Sequence, residues 1–299
     1  GYNYDTLLPS VEPLFEKIIR LKSSANRYSH ADQFLSVYFK PYLSLRKFFK
    51  PNSEVVLFGF RSPPQKFIIR HNRRLGNSVQ VYAEGLSVDR YFVPRTDNNL
   101  LRRWGRRLFP RAFDYQHDYD KFHLFNKDVY KQSPWYDKLE TMVDLYGSPT
   151  FSKYASVLTS ELNLDEIGKY DTVFFGQPLS NFDNIMSREA EEKILAKIVG
   201  DRGVLIFPHP NEILGNSNKY GSLRNGLLYR SSVPNDLLLW KLRPKVTITY
   251  SSTIGVTYAM TNPNSTNYFY PIRQQQYDML SKYQELLANI IVSEEFVGA

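Results

Sequence analysis

Cysteine is absent from all 299 residues, which excludes a disulfide framework and any thiolate metal site. Histidine is scarce. The five present, His30, His71, His117, His123 and His209, show no HExxH-type spacing, so a histidine-built metal centre is not expected. Long apolar runs are missing too. No stretch reaches the roughly 18–20 residues that a membrane helix needs. The opening segment, Gly1 to Leu8, is polar and aromatic, without the charged start and apolar stretch of a secretory leader, so the expectation is a cytoplasmic chain. No zinc-finger, RNP or helix-turn-helix signature is found, and nucleic acid is therefore not expected as a partner.

What is present is hydrophobic and basic. Hydrophobic residues make up 42%, enough for packed cores and too many for a disordered chain. The length suits two domains. A net charge of +8 combined with 22 tyrosines and 20 phenylalanines fits an anionic membrane surface or an acidic small substrate.

Hydrophobic spacing organises the chain into alternating helices and strands. Val11, Leu14, Phe15, Ile18, Ile19 and Leu21 fall at helical spacing behind Ser10 as N-cap, and a second helical run covers about 31–49. Glu54 to Phe60 reads as a buried strand. Pro63-Pro64 opens a helix through Leu75, proline being tolerated in a first helical turn. Gly76-Asn77 ends it, and Val79 to Tyr82 is the next strand. Residues 95–155 read as irregular with short helices. A second β-α-β series then follows. Strands are expected at 172–175, 204–207 and 245–249, and helices at 187–199, 234–242, 252–260 and 274–291. The fold class expected is α/β with two Rossmann-like domains, 1–160 and 161–299, whose parallel sheets face a central cleft. This is the GT-B outline.

Three short features sit at the carboxyl ends of expected strands, where open α/β sheets place their ligands. They are Ala83-Glu84-Gly85, His209-Pro210 and Ser251-Ser252. Each also reads as ordinary local structure: a solvated turn, a loop dipeptide and an N-cap.

Their order resembles the bacterial sialyltransferases and polysialyltransferases, which share an acidic-acidic-Gly motif, then His-Pro, then a Ser/Thr pair. Val81 to Tyr91 is similar to that family's strand, acidic turn and following tyrosine. Phe174 to Leu179, containing Gly176 and Gln177, is similar to the strand and loop that open its nucleotide domain. Val233 to Lys245 resembles the segment leading to the serine pair. The resemblance covers roughly residues 54–92 and 165–270 and leaves 95–155 unmatched. In one respect the sequence departs from the pattern: Ala83 stands at the first acidic position, leaving Glu84 as the sole candidate base there.

The resemblance implies an inverting transfer of sialic acid from CMP-sialic acid to a bacterial surface oligosaccharide, such as lipooligosaccharide (lipopolysaccharide) or capsule. It implies no cofactor and no metal. Catalytic roles fall to Glu84 and His209, and donor binding to Gly176, Gln177, Pro210, Ser251 and Ser252. The residue types suit the task. A carboxylate can take the acceptor hydroxyl's proton, an imidazole can serve the departing phosphate, and serine hydroxyls beside a helix start can hold that phosphate. Two alternatives stay open. One is a related GT-B transferase using a Kdo, galactosyl or glucosyl donor. The other is an idle glycan-binding homologue, toward which Ala83 points.

Two further motifs need weighing. Asp118-Tyr119-Asp120 spells a DxD, but it follows a charged, irregular stretch rather than closing an apolar strand. The run Leu101 to Arg111 holds five arginines with Trp104, Leu108 and Phe109 interleaved. It suits peripheral contact with an anionic membrane, an anionic acceptor, or a solvated loop.

Overall fold

The computed structural model describes residues 45–58, 63–83, 119–142, 149–159, 164–180, 185–209, 212, 219–230 and 233–295. The helices expected over 11–49 lie almost wholly outside the described residues, as do Glu84, Pro210, Asp118 and the basic run 101–111. Contacts divide the chain into a unit of residues 18–143 and a unit made of 1–17 and 144–299.

In the first unit, strands β1 (Glu54–Phe58), β2 (Ser78–Tyr82), β3 (Lys121–Leu124) and β4 (Leu139–Thr141) form a parallel sheet in that order. Helix α1 (Pro63–Arg74) links β1 to β2, since parallel neighbours need a crossover. Gly76 ends the helix at φ 75°, a left-handed conformation that glycine adopts without Cβ strain. One sheet face supplies Val79, Val81, Phe122, Leu124 and Leu139 to the core, together with Ile68 and Ile69 of α1.

Two strands, β3 and β4, lie where an irregular segment is expected. Their signal is short: in β3 only Phe122 and Leu124 are buried, alternating with half-exposed Lys121 and His123. Four residues give two periods of alternation, too few to stand out from a charged surround. Tyr119-Asp120 leads into this strand. Tyr119 is buried, and the Asp120 carboxylate accepts from Arg73 at 2.6 and 2.8 Å and from the Val79 N–H at 2.8 Å. The described half of the DxD thus joins α1 to the start of β2 and β3.

The second unit opens with α2 (Pro149–Thr159). It continues with β5 (Thr172–Phe175), α3 (Arg188–Val199), β6 (Val204–Phe207), β7 (Gly226–Leu228), α4 (Asn235–Leu242), β8 (Val246–Thr249), α5 (Thr253–Thr261), β9 (Thr266–Phe269), α6 (Gln274–Leu286) and β10 (Ile290–Val292). All its strands are parallel, in the order β10-β9-β8-β5-β6-β7. That is the doubly wound Rossmann order: the chain runs outward from β5 to β7, returns to the other side of β5, and runs outward again.

Every residue of β5 and β6 is buried, as strands covered on both faces require. Phe174, Val204 and Ile206 pack on one face with Leu195, Ile198 and Val199 of α3. Val173, Phe175, Leu205 and Phe207 pack on the other with Leu238 and Leu239 of α4 and Ile254 and Tyr258 of α5. The Ser187 hydroxyl caps α3 by accepting from the Ala190 N–H at 3.2 Å, and Gly200 terminates it.

The last helix is shorter than its sequence suggests. The expected span 274–291 ends at Leu286, and β10 takes the remainder. The Asn289 side chain donates to the carbonyls of Ala259 and Asn262 at 2.9 and 3.0 Å. This pins a turn there, and the β-branched Ile290, Ile291 and Val292 then pair with β9.

Candidate functional site

The topological switch of the second sheet lies between β5 and β8. Ligands bind outside the carboxyl ends of such strands, because the two loops leave in opposite directions and open a crevice. A pocket of about 510 Å³ lies there, lined by Gln177, Pro178, Ile185, His209, Ser251, Ile272, Arg273 and Gln276. Four adjacent strands, β6, β5, β8 and β9, are each followed by a residue that lines it: His209, Gln177 and Ser251 lie two residues past their strands and Arg273 four past its own.

The sequence-predicted residues distribute as follows. Gln177, His209 and Ser251 line the pocket. Ser251 Oγ sits 3.5 Å from Gln177 Oε1, long for a hydrogen bond. Ser252 stands beside them as N-cap of α5, making no side-chain cap bond, while its N–H donates to Thr249 Oγ1 at 3.2 Å. Gly176 is buried behind the pocket rather than lining it, its N–H continuing the ladder to the Phe207 carbonyl at 2.9 Å. Glu84 and Pro210 lie outside the described residues. Ala83, just before Glu84, is buried, and its N–H donates to the His123 carbonyl at 2.8 Å.

Beneath the pocket is a buried ionic network that motif reasoning missed. The Lys219 ammonium forms ion pairs with Glu191 of α3 and with Glu212, all three side chains being fully buried. Lys219 also donates to the Gln177 carbonyl at 2.6 Å. Glu212 accepts from the His209 N–H at 2.7 Å and from the Tyr220 hydroxyl at 2.8 Å. Its own N–H donates to the His209 carbonyl at 2.8 Å. Glu191 accepts from the Ser180 hydroxyl at 2.6 Å. The loops after β5 and β6 are therefore tied to one cation and two carboxylates. Burial first, then the nearby carboxylates, pushes the Tyr220 and Tyr250 hydroxyls well above the usual tyrosine range, so both stay protonated.

This network explains Gly176. A Cβ there would lie 2.0 Å from the Tyr220 hydroxyl oxygen and 2.7 Å from Glu212 Oε2. Gly176→Ala is expected to destabilise the protein by about 1–3 kcal/mol, the usual range for overpacking and for orphaning a buried acceptor. Adding Tyr220→Phe should recover part of the loss by removing the clashing oxygen. Thermal melts of the single and double variants measure both effects. A Gly176→Ala protein as stable as wild type contradicts the close approach.

Arg273 and Gln276 are the other residues that sequence reasoning passed over. Arg273 is the N-cap of α6. The Gln276 side-chain oxygen accepts from the N–H groups of Ile272 and Arg273 at 2.9 and 3.2 Å, so the backbone at this corner is fixed. The available signal was positional: an arginine between an aromatic strand and a helical run. Among the described residues, no group of three or more His, Asp or Glu is placed to hold a metal ion. No described helix is long and apolar enough to cross a membrane.

No protein-family model matches the chain, and no curated protein matches it. Solved structures do resemble it. An α/β-galactoside α-2,3-sialyltransferase from the luminous marine bacterium Photobacterium phosphoreum superposes with TM-score 0.53 at 13% identity, over 89% of this chain and 88% of that one. The wall teichoic acid polymerase TagF aligns with TM-score 0.36 at 15% identity, over 68% of this chain and 50% of that one. The E. coli heptosyltransferase WaaC aligns with TM-score 0.27 at 12% identity, over 72% and 86%. The first likeness is one of fold: this chain has the α/β architecture of a GT-B protein, with two units each built on a parallel sheet.

Proposed function

We propose that the protein is an inverting glycosyltransferase that moves sialic acid from CMP-sialic acid to a surface oligosaccharide without a metal. The observation that carries this reading is the convergence of Gln177, His209 and Ser251 on one pocket at the switch point of a Rossmann sheet. Two of the three family-like motifs thereby meet, although 42 residues separate His209 from Ser251.

The roles follow from the chemistry. The donor phosphate lies against Ser251 and the amino end of α5, where hydroxyl and orphan N–H groups favour an anion. The acceptor hydroxyl attacks the anomeric carbon as its proton passes to a carboxylate. Glu84 is that carboxylate by sequence resemblance. The bond from the anomeric carbon to the phosphate oxygen breaks, CMP leaves with the electron pair, and the centre inverts. His209 donates a hydrogen bond or proton to the departing phosphate, which gains charge in the transition state. A monophosphate leaving group needs no metal bridge of the kind a diphosphate uses.

The test is a donor screen with purified protein, following release of free nucleotide from CMP-sialic acid, CMP-Kdo, UDP-galactose and UDP-glucose. Turnover of CMP-sialic acid is expected, undiminished by EDTA. Turnover of a UDP-sugar instead, or restoration by Mg²⁺ or Mn²⁺ after chelation, contradicts the reading. Thermal stabilisation by CMP and not UDP is the matching binding result. No response to any nucleotide favours an idle glycan-binding homologue.

A further inference from the structure

The buried network beneath the pocket is unbalanced in charge. Glu191 and Glu212 share the single ammonium of Lys219. Both side chains act only as acceptors. Glu212 takes Lys219, the His209 N–H and the Tyr220 hydroxyl. Glu191 takes Lys219 and the N–H and hydroxyl of Ser180. An acceptor-only pattern belongs to the ionised carboxylate. Tyr220 and Tyr250 stay protonated and add no charge. Two carboxylates against one ammonium leave one negative charge in excess, in a place that water does not reach.

That excess lies against His209. Glu212 holds the His209 N–H at 2.7 Å, and His209 lines the pocket. The loops after β5 and β8 bring Gln177 and Ser251 to the pocket, and neither titrates. The opposing charges on neighbouring strands are Arg230, two residues past β7, and Arg273, past β9 on the other side of the pocket; both are exposed. On α3 the exposed Arg188 and Glu192 pair with each other. Water and salt screen exposed charges, whereas a buried charge acts through surroundings of low dielectric. A negative charge nearby favours the protonated imidazole and raises the pH at which the ring loses its proton.

We propose that the excess negative charge of the Lys219–Glu191–Glu212 network keeps the His209 ring protonated at neutral pH, so that it meets the departing phosphate as a cation. An imidazolium offers that phosphate a charge-assisted hydrogen bond, or its proton, as the bond to the anomeric carbon breaks. The proposal rests on the leaving-group role given to His209 above and names what tunes it. Glu212 is a positioning residue: fully buried, it acts through His209 and not on the donor.

The test titrates the ring itself in ligand-free protein, by NMR with labelled histidine. The chain has five histidines, and His209→Ala identifies the signal. Glu212→Gln keeps an acceptor for the His209 N–H but removes the charge. It should move the ring's titration about 0.5–1.5 pH units lower, the size expected for one partly screened unit charge several ångströms away. Glu191→Gln removes the same charge without touching the bond between Glu212 and His209, and should shift the ring in the same direction. Glu212→Asp keeps the charge on a shorter side chain. Its ring should titrate closer to wild type than that of Glu212→Gln, although it disturbs the packing more; a merely structural role predicts the reverse order. The second readout is the rate profile. The high-pH fall in CMP-sialic acid turnover should move down by the same amount in Glu212→Gln, with KM changed much less. A wild-type ring already neutral at pH 7, no shift in either Gln variant, or equal shifts for Glu212→Gln and Glu212→Asp overturns the proposal, whatever the donor. A shifted ring with an unshifted rate profile supports the charge coupling and overturns the leaving-group role instead. Absence of CMP-sialic acid turnover in wild type overturns the donor reading, and the ring titration still decides the charge coupling.

Discussion

His209→Ala is expected to lower turnover of CMP-sialic acid about 10²–10³-fold while leaving CMP affinity within a few-fold. The size is that of removing one donor aimed at developing charge. The asymmetry follows from when the charge appears. The bound donor phosphate is a diester, and it gains charge only as the bond to the anomeric carbon lengthens, so an interaction with that charge is worth most in the transition state. The variant should fold normally, because it keeps the backbone contacts that fix this loop, from the His209 N–H to Glu212 and from the Glu212 N–H to the His209 carbonyl. Ser251→Ala makes the contrast: in the proposed donor complex its hydroxyl faces the ground-state phosphate, so CMP binding itself should weaken, by about 1.5–3 kcal/mol for a bond to a charged group. Steady-state kinetics beside calorimetric CMP titration separates the two. If His209→Ala loses CMP affinity in the same proportion as turnover, the imidazole holds the ground state and has no special part in leaving-group departure.

Why such residues are legible in sequence, and others are not, follows from how far each signal reaches along the chain. Thr172–Phe175 and Val204–Phe207 are uninterrupted apolar runs bounded by polar turns, so both strands and the loops after them can be placed locally. His209, Gln177 and Ser251 inherit their visibility from those strand ends. The same logic locates α3, where Ser187 precedes the helical spacing and Gly200 follows it. It fails for β3 and β4, which are only three or four residues long and mix buried with exposed positions, and for β10, which continues the apolar pattern of α6 without a break. The order of strands in the second sheet is a long-range property; no local pattern states that β8 lies beside β5.

The buried charges are the least legible part of the site. Acidic residues in a first helical turn ordinarily read as solvated partners of the helix dipole. Glu189 is exposed and fits that reading, yet Glu191, two positions on, is fully buried. Its partner Lys219 is 28 residues away in the chain, and Ser180 is 11 residues away on the other side. Only the packing of α3 against the segment around Lys219 and Tyr220 brings them together. Arg273 was obscured differently, since a lone basic residue between two elements carries no pattern until the strand order shows which loops it joins.

Lys219→Met should produce the largest loss of stability of any single substitution at this site. Removing the ammonium leaves Glu191 and Glu212 as two carboxylates without their cation in a fully buried position. Breaking a buried pair by deleting one partner typically costs about 3–5 kcal/mol, because the survivor keeps its desolvation penalty and loses its compensation. For a unit of this size that corresponds to a fall of roughly 6–20 °C in its melting midpoint. Calorimetry, or near-ultraviolet circular dichroism, gives the shift. Restoring neutrality by a different route tests the cause. Lys219→Met combined with Glu191→Gln and Glu212→Gln leaves no buried charge and keeps acceptors for Ser180, Tyr220 and the His209 N–H, so most of the lost stability should return. A Lys219→Met protein that melts within about 2 °C of wild type, well below the cost of an orphaned buried charge, would mean that the two carboxylates do not depend on this cation. The His209 and Gln177 loops would then be held by their backbone contacts alone.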